Sequence, residues 1–211
     1  MANADNGDRE VLSARAYAQI LTSPRLKRLL LPEGLGMSPY TVVSFHGVLD
    51  LADKTGRLAV FHRTQEVRFQ QQGVGAILDH FWGSGVANVA YSTTAGALGE
   101  LIHDGGVRHQ VIELPKPMWR GDDFAFATER TMMETFMTTD SYFELVIDHP
   151  LQQLSHAVLF PKARPCQQAV LVVGASRQAL AIDRLPGGKT LVRVDLPKAE
   201  AHTAYRIEWV W

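Results

Sequence analysis

Cysteine and long apolar runs are scarce in this sequence. Cys166 is the single cysteine among 211 residues, which excludes an internal disulfide and a zinc site built from several cysteines. The longest apolar runs, such as AVLVV at 169–173, are far shorter than the ~20 residues that cross a bilayer as a helix. The opening MANADNGDRE lacks the basic and apolar regions of a secretory signal. We therefore expect a cytoplasmic protein with no membrane span.

An excess of charge of one sign is also missing. The chain carries 21 basic and 22 acidic residues, and it has no basic stripe of the kind that binds nucleic acid. The charges are unevenly spread, since 100–149 holds ten acidic and four basic residues while 150–211 holds four acidic and eight basic ones. Such asymmetry favours docking to a protein partner. That partner is either another protein or a second copy of the same chain.

Common catalytic motifs are absent. The sequence contains no H-E-x-x-H metal motif, no G-x-S-x-G nucleophile elbow and no complete phosphate-binding loop. The G-x-G in GVGAIL at 73–78 precedes a strand-like run, whereas a phosphate cradle needs a following helix. We accordingly predict no catalytic residue, no metal ligand and no cofactor, and we favour a protein that is not an enzyme.

The stretch LIHDGGVRHQVIEL at 101–114 comes nearest to a metal motif. Its order of His103, His109 and Glu113 resembles a cupin metal site, but that family pattern needs two histidines separated by one residue, and no H-x-H occurs here. On one strand, His109 and Glu113 would lie ~13 Å apart, too far to share an ion. The sequence therefore predicts a hairpin turning at Asp104 and Gly105, with polar residues on its solvent face and at most a His103–His109 pair.

The start of the chain predicts a tail and two short helices. Residues 1–8 are polar without periodicity and are expected to be disordered, and 9–36 read as a helical segment followed by a linker. Ser23 followed by Pro24 is typical of a helix start. The second helix has basic and leucine side chains that together form a candidate surface for a partner, unless the leucines cover an open end of the sandwich. These candidate residues are Arg25, Lys27, Arg28, Leu29 and Leu30.

From residue 40 to residue 211 the hydrophobic period changes to two. Runs such as TVVSFHGVLDL and SYFELVID alternate apolar and polar residues, and turn-forming stretches such as HDGG and LPGGK separate them. The pattern predicts an all-β protein, an antiparallel β-sandwich of jelly-roll or immunoglobulin-like type with ten to twelve strands. Two packed sub-domains with a boundary near 138–150 are an alternative.

Two aromatic residues beside turns are candidates for ligand binding, namely Trp82 and Trp119.

Three functions follow as hypotheses. The first is a non-catalytic interaction or accessory module, a component of a bacterial multi-protein complex. The second is a metal-dependent enzyme of cupin or jelly-roll type. The third is a β-sandwich that binds carbohydrate or another small ligand.

Overall fold

A computed structural model describes residues 14–34, 38–82, 86–138 and 140–211. The predicted tail at 1–8 and parts of the predicted helical segment and linker, 9–13 and 35–36, lie outside these residues. A short 3-10 helix spans Pro186–Gly188, and two α-helices and fourteen strands are found in the described part of the chain. They are α1 (Ala14–Thr22), α2 (Pro24–Leu30), β1 (Tyr40–Leu51), β2 (Leu58–Phe69), β3 (Val74–Trp82), β4 (Val86–Thr93), β5 (Ala97–Asp104), β6 (Val107–Met118), β7 (Asp123–Met133), β8 (Asp140–Ile147), β9 (Gln153–Phe160), β10 (Gln168–Val173), β11 (Ser176–Ala179), β12 (Ile182–Arg184), β13 (Thr190–Leu196) and β14 (Thr203–Val210).

The strands form three sheets. A seven-stranded sheet has the order β12-β13-β9-β1-β2-β7-β4, a four-stranded sheet has the order β11-β10-β14-β8, and a three-stranded sheet has the order β3-β6-β5. All pairings are antiparallel among the named strands except that of β1 with β9. The predicted all-β class with N-terminal helices is confirmed, and the parallel pair is the departure from a purely antiparallel sandwich.

Both small sheets pack on the same face of the seven-stranded sheet. Alternate residues of β2 show this, because Ala59 and Phe61 belong to the core under the four-stranded sheet, whereas Val67 and Phe69 belong to the core under the three-stranded sheet. All four side chains point to one side, since their positions differ by even numbers. The two ends of the long strands are thus covered by different sheets, and the middle of each strand faces the gap between them.

The two helices cover the far face of the three-stranded sheet. Ala16, Ile20 and Leu30 are buried against Val111 and its neighbours in that sheet. The helix start at α2 is the one expected from the sequence, because the Ser23 side chain accepts a hydrogen bond from the Leu26 amide. The opposite face of the three-stranded sheet is left free for contact with the seven-stranded sheet.

The predicted hairpin is present, with β5 and β6 joined through a turn at 105–106. Most of the stretch at 138–150 is β8, which belongs to the four-stranded sheet, whereas β7 before it belongs to the seven-stranded sheet. The chain then returns to the seven-stranded sheet with β9, which lies beside β1. Within the described residues, neither helix is long and apolar enough to cross a membrane.

Candidate functional site

A cleft opens where the two small sheets meet over the seven-stranded sheet. One wall is β8, the edge strand of the four-stranded sheet, and the other is β3, the edge strand of the three-stranded sheet. The floor comes from β1, β2 and β7. Its volume is about 770 Å³, which is within the roughly 300–1,000 Å³ of small-molecule sites.

The floor of the cleft carries two arginines in an apolar surround. Arg63 lies in the middle of β2 between Phe61 and Val67 on the inward face, and Arg130 lies on the inward face of β7 directly opposite Phe61. Both arginine residues are only 8% exposed. Because neither small sheet covers the middle of the long strands, this is the place on the inward face where charged side chains can line a cavity.

Arg63 is held by a carboxylate from the opposite wall. Asp79 of β3 is 2.5 Å from the Arg63 Nη1 and accepts a hydrogen bond of 2.6 Å from the Tyr91 hydroxyl. Burial alone would raise the pKa of Asp79, but Arg63 and Arg130 outweigh it and hold that pKa below its usual range. Asp79 is therefore a carboxylate, and burial together with this anion raises the pKa of Tyr91, so the phenol stays neutral.

Arg130 is held mainly by aromatic rings. Its guanidinium carbon lies 4.6 Å from the centre of the Phe81 ring and 5.5 Å from that of Phe61, which is cation–π geometry. Burial lowers the pKa of Arg130 to about 10. This value still leaves the side chain charged at neutral pH.

The site has an excess of positive charge and of hydrogen-bond donors. Two guanidinium groups face one carboxylate, Asp79, which leaves a net charge of one positive at the floor. Among the described residues, the Nε and Nη2 of Arg63 and the Nε of Arg130 are buried and have no hydrogen-bond partner. Buried donors without partners are costly, and an anion in the cleft would bring hydrogen-bond acceptors to these two guanidinium groups.

The predicted histidine pair is replaced by a different one. His103 lies opposite Arg108 in the hairpin, whereas His109 pairs across β3 and β6 with His80, with the ring centres 6.3 Å apart. His109 is buried rather than on a solvent face, because the helices cover this side of the sheet. Burial lowers the pKa of His80 to about 4 and also lowers that of His109. In the part of the chain that the structure describes, no three histidine, cysteine or acidic side chains are grouped as metal ligands would be.

The candidate partner surface on α2 is divided by the packing. Leu30 is 1% exposed and belongs to the core beneath the helices, so its side chain is not available to a partner. Leu29 is half-buried and fits over Gly75 of β3. Arg25 is exposed and pairs with Glu113 at 2.5 Å. The leucines thus cover a sheet of this chain, while Lys27 and Arg28 are exposed, and a partner for them stays a prediction.

Of the two tryptophans predicted as ligand contacts, Trp119 lies away from the cleft. Trp119 follows β6, is 57% exposed and is outside the cleft lining. Trp82 ends β3, and its side chain lies outside what the structure describes. The site arginines, which sequence reasoning missed, did leave a signal. In LAVFHRTQEVRF, Arg63 has the same parity as the apolar Phe61 and Val67, and a charged residue on the apolar face of a strand requires a specific partner.

Comparison with known proteins identifies the fold alone. No protein-family model matches the sequence, and no curated protein matches it. Among solved structures, a candidate protease from Parabacteroides distasonis is similar with a TM-score of 0.53 and 8% identity over 82% of this chain and 40% of that one. A mutant M1 zinc metallopeptidase from Deinococcus radiodurans, bound to a Tyr-Ser-Ala substrate, is similar with a TM-score of 0.52 and 10% identity over 82% of this chain and 43% of that one. This chain therefore spans less than half the length of these proteins.

Proposed function

We propose that this chain is a binding module whose cleft takes an anionic ligand with an apolar part. The observation that carries the proposal is the pair of buried arginines, Arg63 and Arg130, which line the cleft among apolar side chains and carry guanidinium nitrogens without a hydrogen-bond partner in the described part of the chain. This is the small-ligand hypothesis of the sequence, with Arg63 and Arg130 as ligand contacts.

The chemistry of the floor favours a carboxylate or a group of similar shape. Guanidinium groups present planar, charged donors that match two oxygens of a carboxylate, and such charge-assisted hydrogen bonds are about twice as strong as neutral ones. Phe45, Phe126 and Phe143 line the same cleft and would receive the apolar part of the ligand. A neutral ligand of the same shape would leave the arginine donors unpaired.

The test compares the binding of an acid with that of its neutral amide. N-acetylphenylalanine and N-acetylphenylalanine amide are titrated into the labelled protein, and binding is followed by NMR chemical shifts. The acid is expected to bind saturably with shifts at cleft residues, and the amide at least about tenfold more weakly, because one charged hydrogen bond contributes about 1.5–3 kcal/mol.

Arginine variants locate the binding. Arg63→Met and Arg130→Met keep much of the side-chain volume and are each expected to weaken binding of the acid at least about tenfold. Arg193→Met is the matched control, since Arg193 is 56% exposed and pairs with Asp195 at the surface. Equal affinity for acid and amide, or equal loss in all three variants, contradicts the proposal.

A further inference from the structure

The wall of the cleft formed by β8 has an open strand edge. Among the strands that the structure describes, β8 pairs with β14 and with no other strand. Every residue from Ser141 to Ile147 lines the cleft, as expected when the edge of a strand, rather than one of its faces, borders a cavity. Every second residue of an edge strand directs its N–H and C=O away from the neighbouring strand, and in β8 that direction is into the cleft.

The opposite wall, β3, is blocked at Leu78. The Tyr40 hydroxyl accepts a hydrogen bond of 2.9 Å from the Leu78 amide and donates one of 3.1 Å to the Leu78 carbonyl. A phenol therefore occupies the position at which a further strand would pair with β3. Burial raises the pKa of Tyr40 to about 12, so the hydroxyl keeps the proton that it donates. The block at Leu78 disfavours strand addition on the β3 side and leaves β8 as the wall that would accept an added strand.

We infer that the ligand of the cleft is an extended peptide segment that adds as a strand beside β8 and directs an acidic side chain to Arg63 and Arg130. The inference rests on the proposed function and names the class of its ligand. Backbone hydrogen bonds to β8 would supply affinity, and the alternation of side chains along the strand would supply specificity, as in other cases of strand addition.

Charge distribution restricts the sequence of such a peptide. The positive floor selects an acidic residue that points inward. The rim carries Glu144, which pairs with Arg206 at 2.8 Å, and Asp148. Residues of the peptide that point outward, next to the acidic one, are therefore expected to be neutral or basic. Aromatic floor residues favour apolar side chains two positions away from the acidic residue, because those share its face.

The first experiment uses changes in the ligand, which cannot affect the folding of the protein. The probe is Ac-Val-Thr-Glu-Thr-Val-NH2, compared by calorimetry with the analogue in which glutamine replaces glutamate. Two further peptides carry a single backbone N-methyl group, one at the glutamate and one at the following threonine. We expect the parent to bind at least tenfold more tightly than N-acetylphenylalanine, and the glutamine analogue at least tenfold more weakly than the parent.

The two N-methyl peptides test whether the bound peptide pairs with β8 as a strand. Successive amides of a strand point to opposite sides, so one isomer is expected to lose binding at least tenfold while the other keeps it. Hydrogen exchange then provides a readout on the protein, since alternate amides of β8 should gain protection with the parent peptide. Amides of β13 serve as the control, because β13 lies between two strands away from the cleft.

The outcomes separate this inference from the proposed function. If N-acetylphenylalanine binds through the arginines but both N-methyl peptides bind as the parent does, strand addition is refuted and the anion site stands. If laurate binds more tightly than the parent peptide, the cleft is a fatty-acid binding site and the inference of a peptide ligand is refuted. If neither acid nor peptide binds, both proposals fall.

Discussion

Replacing Asp79 by asparagine tests whether the charges of the cleft floor are truly buried. The change keeps the shape of the side chain and an oxygen that can accept from Tyr91, but it removes the one carboxylate that faces two guanidinium groups. Asp79 is 4% exposed and its partner Arg63 8%. Water therefore screens the remaining positive charges poorly, and Asp79→Asn leaves them uncompensated.

The expected loss of stability follows from that burial. Removing one partner of a buried ion pair costs about 3–5 kcal/mol, whereas removing one partner of an exposed pair costs about 0–1 kcal/mol. With a urea m-value of about 2–3 kcal/mol/M, the unfolding midpoint should fall by about 1–2.5 M. Asp195→Asn is the matched control, because Asp195 is 54% exposed in its pair with Arg193, and its midpoint should move little.

Urea unfolding followed by tryptophan fluorescence measures both variants. In the double variant Asp79→Asn with Arg63→Met, the second change should recover part of the loss, with a coupling of about 1 kcal/mol or more. Asp79→Asn should also bind N-acetylphenylalanine at least as tightly as the parent protein, since the floor then carries two uncompensated positive charges. A loss below about 1 kcal/mol, or no coupling with Arg63, would refute the account of a buried, net positive site.

Further predictions concern other parts of the structure. Burial lowers the pKa of His156 to about 4 from the ordinary 6.5, so the unfolded chain takes up this proton first as pH falls. This histidine by itself should lower the stability by about 3 kcal/mol between pH 6.5 and 4, and His80, whose pKa burial also lowers to about 4, should add to the decrease. In urea unfolding, His156→Gln should remove the share of the pH dependence that comes from His156, and His62→Gln, at a side chain that is 50% exposed, is the control. Gly47→Ala would place a Cβ 2.8–3.0 Å from two phenylalanine rings and should cost about 1–3 kcal/mol, while Gly106→Ala, which meets nothing within 4 Å, should cost much less. Trp119→Ala should change the stability by no more than about 0.5 kcal/mol and should leave the affinity for N-acetylphenylalanine unchanged. A clear loss of affinity would instead indicate that Trp119 contacts the ligand.

The local features of this protein could be predicted from the sequence because they depend on neighbours in the chain. Alternation of apolar residues marks most of the strands, and the hairpin of β5 and β6 turns at 105–106, one residue beyond the expected Asp104–Gly105. Ser23 caps α2 through a hydrogen bond that spans three residues. Each of these depends on backbone geometry over a few residues, and that geometry is encoded by the residues themselves.

The candidate site depends on contacts between distant segments. Arg63, Asp79 and Arg130 come from β2, β3 and β7, and they meet because the two small sheets leave the middle of the long strands uncovered. The sequence indicated an all-β chain with helices at its start, and the parity of Arg63 indicated a charge on an apolar face. The tertiary structure alone decided which carboxylate meets that charge and that β8 presents an open edge beside it. The reason is that the order of the strands depends on how the apolar faces of three sheets are buried together, and no local preference of the chain determines that order.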